Sequence, residues 1–269
     1  MQLRDFCLGL LANGELEAKL APPSGPLDDA EPGPVRYIEQ PARAAPIAFA
    51  AHGSRLPRPD HVTGPDAIAR CLARFAHHEL MAVELFAWAL LRWPELPAAL
   101  RRGLLGALLD EQRHCRLYLE RLAALGSDLA DHPGPGYFWL QVPRIHESPH
   151  GPRAFLAALG LTFEQANLDF APLYRDAFRA AGDPASAAVC QVVHDDEVGH
   201  VKLAAHWLAR LAGTQSQLEA YREAVPFPLG PRRAKGRTFD IEARRRAGLD
   251  EEFIAWVRDA RRPPPPAST

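Results

Sequence analysis

Apolar residues recur at helical spacing through four long stretches of the chain, and residues that end helices bound each stretch. The pattern predicts helices over residues 65–93, 98–125, 153–181 and 184–211. Short turns, residues 94–97 and 182–184, join the helices within each pair. A longer connection, residues 126–152, breaks the helical period and joins the two pairs. No segment alternates in the manner of a β-strand, so the sequence predicts an all-α protein.

Two short turns and one long crossover form the connectivity of ferritin-like helix bundles. The predicted architecture is therefore a ferritin-like four-helix bundle over residues 65–212. The preceding region, 1–64, is predicted to hold one helix over 3–20 and a Pro/Gly-rich arm that packs on the bundle. The region that follows, 213–262, is predicted to hold short helices near 215–223 and 250–260 around a basic loop. Residues 263–269 are predicted to be a disordered tail.

Composition narrows the class of protein without naming a reaction. The 269 residues carry a net charge of −2, which gives no global electrostatic reason to bind nucleic acid or a membrane. The apolar run at the start is too short and too interrupted by acids for a signal peptide, and no stretch is long enough to span a membrane. The four cysteines lack CxxC spacing, so we expect reduced thiols in a cytoplasmic protein.

Two predicted helices each carry a glutamate and a histidine three residues apart, Glu111 with His114 and Glu197 with His200. Side chains at this spacing project from one face of a helix, so each pair can ligate one metal ion or bridge two. A single Glu-x-x-His pair is a weak signal, because chance alone produces such pairs in a chain with this many glutamates and histidines.

A repeat around the two pairs strengthens the interpretation. Glu79 precedes Glu111 by 32 residues, and Glu164 precedes Glu197 by 33 residues. Four carboxylates and two imidazoles on four facing helices are the ligand set of di-iron and di-manganese carboxylate proteins, in which the ions lie about 3–4 Å apart. Two divalent ions would neutralise the four buried acids. These ligands suit iron or manganese, and affinity order alone would also admit zinc.

The spacing leaves one choice open. Each helix with a single predicted ligand carries a second acid five residues further on, Glu84 after Glu79 and Asp169 after Glu164. The distance from the turn favours Glu79 in the first helix. In the third helix, the ligand is expected at the same distance from the turn as the pair on the fourth helix. Glu164 lies slightly too far from the turn and Asp169 slightly too near, so geometry alone does not choose between them.

The sequence motifs of these helices are similar to those of a known superfamily. "HHELMAVELF", "LDEQRHCRLYLERL", "LTFEQANLDF" and "HDDEVGHVKLAAHW" resemble the ligand helices of the ferritin-like superfamily. "AAGDPASA", "DEVGHV" and "IEARRRAGL" are closer to a bacterial ferritin-like family catalogued as a domain of unknown function. The resemblance implies that Asp110 and Asp196 orient ligand histidines, and it favours Glu164 over Asp169. The implied metal ligands are Glu79, Glu111, His114, Glu164, Glu197 and His200.

The first functional hypothesis is an oxygen-activating oxidoreductase or hydroxylase that acts on a small organic substrate. Such an enzyme would need electrons from a separate reductase, because the chain has no CxxC iron site. We expect a monomer or homodimer with a mostly apolar pocket near Phe86, Trp88, Phe170 or Tyr174. The alternatives are a ferroxidase or iron-handling protein, which predicts a cage assembly, and a non-enzymatic helical protein stabilised by metal.

A basic run near the C-terminus raises one further possibility. Residues 232–246 hold seven Arg or Lys against two acids, a composition that occurs in RNA-binding patches. Beyond Phe239, no aromatic residue in the run offers a stacking platform for bases, so the sequence argues against nucleic acid.

Overall fold

The computed structural model describes residues 1–53 and 55–261. Every regular secondary-structure element within these residues is a helix. The predicted all-α class is confirmed, and the predicted disordered tail, 263–269, lies outside the described residues. The α-helices are α1 Leu3–Ala12, α2 Leu16–Leu20, α3 Pro65–Arg92, α4 Ala98–Ala124, α5 Val142–Glu147, α6 Pro152–Phe155, α7 Gln165–Ala180, α8 Pro184–Ala212, α9 Gln217–Ala224, α10 Ile241–Arg246 and α11 Glu251–Asp259. In the described part of the chain, no helix combines the length and the apolar character needed to cross a membrane.

The ends of the long helices follow from the residues that stand there. Pro65 begins α3, where its fixed φ suits the first turn and its missing N–H costs no hydrogen bond. Gly126 follows α4 with a φ of +74°, and its N–H donates to the carbonyl of Ala123. Glycine adopts this left-handed conformation without steric cost, so the helix stops there. The four predicted long helices therefore appear close to their predicted bounds.

The third long helix changes its winding part-way along. A π-helix, Leu156–Glu164, lies between α6 and α7. The Thr162 hydroxyl donates to the carbonyl of Ala157, five residues earlier, in keeping with the wider turn. A Cβ atom built on Gly160 would lie 2.2 Å from Cβ of Ala204, so only glycine permits this approach to α8.

The structure corrects two predictions at the level of single elements. The helix predicted over 3–20 is two helices, because the chain leaves the helical conformation at Asn13 and the Asn13 side chain accepts from the Glu15 N–H. A side chain on Gly14 would also collide with the backbone of Ala44. The long crossover, predicted to break the helical period throughout, contains the short helix α5, and the predicted basic loop contains α10.

The chain divides into two compact units, and the three boundaries between them fall inside α5, α7 and α8. The first unit comprises residues 1–146 and 173–193. In it α4 packs along α3, while α1 packs on α3 and α2 on α4. The Pro/Gly-rich arm is tied to these helices, since the Arg36 N–H donates to Leu91 and the Ala42 N–H donates to Leu11. Ile47 of the arm is fully buried.

The second unit comprises residues 147–172 and the chain from 194 onward. It holds the π-helix, most of α8 and the three C-terminal helices α9, α10 and α11. Tyr221 of α9 packs edge-on against Phe253 and Trp256 of α11, with ring centroids 5.1 and 5.9 Å away. The Tyr221 hydroxyl also hydrogen-bonds Thr162 at 2.7 Å, which fastens α9 to the π-helix.

Candidate metal centre

The first unit brings together three of the predicted ligands, which we call the first set: Glu79, Glu111 and His114. Glu79 lies on α3 and the other two lie on α4, and all three are buried. Each offers one ligand atom, and these atoms lie within 4.8 Å of one another. Nδ1 of His114 lies 3.4 Å from a carboxylate oxygen of Glu111, as the three-residue spacing on a helix predicts.

The second unit brings together the other three, which we call the second set: Glu164, Glu197 and His200. Glu164 is the last residue of the π-helix, and Glu197 and His200 lie on α8. These residues are also buried, with ligand atoms within 4.8 Å of one another. The Asn167 amide donates to one oxygen of Glu197 at 2.8 Å, and the other oxygen lies 3.2 Å from Nδ1 of His200.

The chemistry of both sets fits a divalent metal ion. Each set combines two carboxylates with one imidazole, and ionised carboxylates away from water cost several kcal/mol each without a compensating positive charge. One divalent ion offsets the two negative charges of one set. The buried acids and histidines of the two sets can therefore hold metal.

Glu84, the first of the two alternative acids, is neutralised by other means. Its carboxylate accepts from two nitrogens of the Arg43 guanidinium, Nε and Nη2, and from the Trp139 indole at 2.8 Å. Nζ of Lys19 lies 2.9 Å away, and both members of this ion pair are fully buried. Burial lowers the pKa of Lys19, and the charge of Glu84 opposes that shift. Glu84 is thus part of a buried ion-pair cluster formed with the N-terminal region.

Asp169, the second alternative acid, is held by the C-terminal region. Arg244 donates to both of its oxygens, at 2.8 and 2.9 Å, and both side chains are fully buried. The backbone N–H groups of Gly236 and Asp240 donate to the same carboxylate, at 2.8 and 2.7 Å. The Arg244 guanidinium also stacks on the ring of Phe239, 3.7 Å from its centroid. Four donors therefore saturate Asp169, and Glu164 remains the metal-set acid of this helix.

A family model described as "Protein of unknown function (DUF455)" matches residues 12–255. The chain belongs to this family. The matched DUF455 region contains both sets, the arm and nearly all of the C-terminal helices. No curated protein and no solved structure matched the chain. The predicted resemblance to a family of unknown function is confirmed, and membership of the ferritin-like superfamily stays a prediction.

Asp110 and Asp196 each directly precede a glutamate of a set and are half-buried. Asp110 forms an ion pair with Arg113 at 3.2 Å, on a part of α4 where both side chains are about two-fifths exposed. Their role in orienting the ligand histidines stays a prediction.

Asn167 was missed by the sequence reasoning, although a signal existed. It lies three residues after Glu164, the same spacing that relates glutamate to histidine in the other two helices. Its amide fixes one oxygen of Glu197 and leaves the other oxygen facing His200. The corresponding position in the first unit, three residues after Glu79, is Ala82. Asn167 is thus a feature of the second set for which the first has no equivalent.

Two of the four aromatic residues expected to line a pocket, Trp88 and Tyr174, are held by the arm in the first unit. The buried Trp88 indole donates to the carbonyl of Ile38 at 3.0 Å, and the Tyr174 hydroxyl donates to the carbonyl of Pro57 at 2.8 Å. Phe86 is buried, and Phe170 of the second unit is partly exposed. The arm thus satisfies the polar groups of Trp88 and Tyr174, and an apolar pocket near these residues stays a prediction.

Several charges of the basic run are already engaged within the second unit. Arg244 is buried against Asp169, and Arg245 forms ion pairs of 2.6 Å with both Glu242 and Glu251. Nζ of Lys235 donates to the carbonyl of Arg258 near the end of α11. These contacts give the run a structural role in fastening the tail, which accounts for part of its basic composition.

Proposed function

We propose that this DUF455 protein is a ferritin-like di-iron or di-manganese carboxylate protein that activates oxygen and oxidises a small organic substrate. The observation that carries the proposal is the repeated pair of sets, each with two buried glutamates and one buried histidine. Four long helices with two short turns and one long crossover support a ferritin-like bundle.

One ion at each set gives two ions per chain, and iron is the best match to the donors. Carboxylate oxygens with a single imidazole suit iron or manganese better than sites built from cysteine. All four cysteines are buried, and burial raises the pKa of each thiol to about 12. They therefore stay protonated near neutral pH and are unsuited to bind metal as thiolates.

When bound, a reduced iron pair supplies the electrons that convert oxygen into an oxidant. The residues of the chain keep water away from the sets, and hydrogen bonds fix the direction of donors in the second set. Glu111, His114 and Glu197 are almost completely removed from solvent. Asn167 holds Glu197 in one orientation, so that its second oxygen faces the same side as His200. Electrons for repeated turnover would come from a separate reductase.

Metal and oxygen measurements on matched variants test the proposal. The protein is purified without chelator, reloaded with ferrous iron under anaerobic conditions, and analysed for metal content and oxygen consumption. We expect two ions per chain in the wild type and the loss of at least one in Glu111→Gln. Glu120→Gln is the control, because this exposed glutamate lies on the same helix outside both sets.

Oxygen consumption should follow the number of occupied sites and stop when reductant is exhausted. Full metal content in Glu111→Gln would overturn the metal assignment. Bound metal without oxygen consumption would favour the non-enzymatic alternative. A particle of a dozen or more chains in light scattering, with iron uptake far beyond two ions per chain, would favour iron storage instead.

A further inference from the structure

A pocket separate from both sets lies on the second unit, between α8 and the C-terminal helices. Its volume is about 440 Å³, within the roughly 300–1,000 Å³ typical of small-molecule sites. We call it the basic pocket. One wall is formed by Lys202, His206 and Arg210 of α8, and the opposite wall includes Gln217 and Gly248.

The charged wall has a regular construction. Lys202, His206 and Arg210 are spaced by four residues, so their side chains leave one face of α8 on successive turns. From the first to the last, the helix rises about 12 Å, at about 1.5 Å per residue. Donors spread over this length can contact more than one anionic group of the same ligand.

The charges of this wall have no acidic counterpart. None of the lining residues is acidic, and among residues 1–53 and 55–261 no acid forms an ion pair with Lys202 or Arg210. Arg245 of the same unit, in contrast, pairs with two glutamates. Lys202 and Arg210 lie two turns apart on one face of α8, so a ligand with more than one anionic group can contact both.

Glycines border free space along the rest of the pocket lining, and hydrogen bonds of Gln217 fix the position of the opposite wall. A Cβ atom built on Gly213 or Gly248 would meet nothing within 4 Å, so the backbone there borders free space. The Gln217 amide donates to the carbonyl of Gly248 and accepts from the Asp250 N–H, at 2.9 and 3.0 Å. This cross-link joins the start of α9 to the turn between α10 and α11, both of which line the pocket or lie beside it.

We propose that the basic pocket binds a small molecule that carries more than one phosphate group. The Arg210 guanidinium can donate two parallel hydrogen bonds to a phosphate, while Lys202 supplies a point charge two turns away. His206 lies between them and adds a ring N–H donor. The proposal is independent of the metal sets and concerns a second ligand of the protein.

Calorimetric titrations with pyrophosphate, ADP and citrate test the proposal on the full chain. We expect both phosphate compounds to bind, and Lys202→Gln with Arg210→Gln to weaken binding at least about tenfold. Ala209→Phe should weaken it as well, because this variant fills the pocket and keeps every cation. Arg237→Gln, an exposed cation outside the pocket, is the control and should leave affinity unchanged.

The comparison of ligands identifies the group that is recognised. Equal affinity for pyrophosphate and ADP supports recognition of the phosphates alone, and tighter binding of ADP supports a nucleotide. Circular dichroism confirms that each variant is folded. The proposal is overturned if neither phosphate compound binds, if citrate binds equally well, or if Arg237→Gln weakens binding as much as the pocket variants. Binding of an RNA oligomer alone, without either small phosphate, also overturns it.

Discussion

The two units carry the same arrangement of acids. In each, one acid lies outside the metal set, and this outer acid is neutralised by different partners in the two units. In each unit a second buried acid lies five residues beyond the first glutamate of a set, Glu84 after Glu79 and Asp169 after Glu164. These outer acids are bound by arginines from segments outside the long helices, whereas the acids of the sets lie beside other acids and a histidine. Distant parts of the chain thus decide which of two neighbouring acids is available for metal.

The partners also differ between the units. Glu84 faces two cationic side chains, Lys19 and Arg43, together with the Trp139 indole. Asp169 faces one cation, Arg244, and two backbone N–H groups. The loss of one arginine should therefore be more damaging in the second unit, where Arg244 is the cation that hydrogen-bonds Asp169 and Lys235 interacts with it without a hydrogen bond.

Arg244→Met should give the largest effect. It removes the cation that hydrogen-bonds the fully buried Asp169, which we expect to lower the free energy of unfolding by about 3–5 kcal/mol. Arg43→Met should cost less, because Lys19 and Trp139 still contact Glu84. Chemical denaturation of the metal-free protein measures both.

The control for this comparison is Arg245→Met. Arg245 is adjacent in sequence, but its ion pairs with Glu242 and Glu251 are exposed to solvent, and exposed pairs contribute little to stability. An equal loss of unfolding free energy in Arg244→Met and Arg245→Met would show that the buried Asp169 pair contributes no more to stability than an exposed pair.

Glu84→Gln and Glu111→Gln should shift the stability of the metal-free protein in opposite directions. We expect Glu84→Gln to lower the free energy of unfolding by about 2–3 kcal/mol, because Lys19 and Arg43 lose their buried counterion. Glu111→Gln removes a charge from among other acids, so stability should stay equal or rise by up to about 1 kcal/mol.

Added metal should separate the Glu84→Gln and Glu111→Gln variants further. Metal should raise the melting temperature of the wild type and of Glu84→Gln, and it should raise that of Glu111→Gln much less. A marked loss of metal-free stability in Glu111→Gln would contradict the view that the acids of the sets strain the fold when no metal is bound.

Asn167→Ala should have the smallest effect and should act on one unit. It removes the hydrogen bond to Glu197 and leaves the second set with alanine, as the first unit has at Ala82. We expect about a tenfold loss of affinity for one of the two ions, since residues that orient ligands have effects of this size. A stepwise metal titration separates the ions, and a loss spread equally over both would count against this assignment.

The sequence predicted what local spacing encodes and missed what depends on distant contacts. The bounds of α3, α4 and α8 follow from apolar periodicity and from proline and glycine at their ends. The glutamate–histidine pairs of both sets follow from their three-residue spacing, and Glu79 follows from its distance to the turn, whereas the choice of Glu164 over Asp169 came from the family resemblance and not from spacing. Arg43 and Arg244 have no local signal, because they lie 41 and 75 residues from the acids that they bind. The π-helix was missed because its residues are nearly all buried and show no polar face.

The π-helix has a consequence for insertions and deletions. A wide helical turn accommodates one residue more than an α-helix, in which each residue advances the side chains by about 100°. A one-residue deletion between Leu156 and Phe163 that restored regular winding would therefore leave Glu164 facing in nearly the same direction, whereas a one-residue deletion in the regular helix α7 would rotate the residues that follow it by about 100°. The π-helix is thus the part of this segment where the loss of one residue can be absorbed without reorienting Glu164.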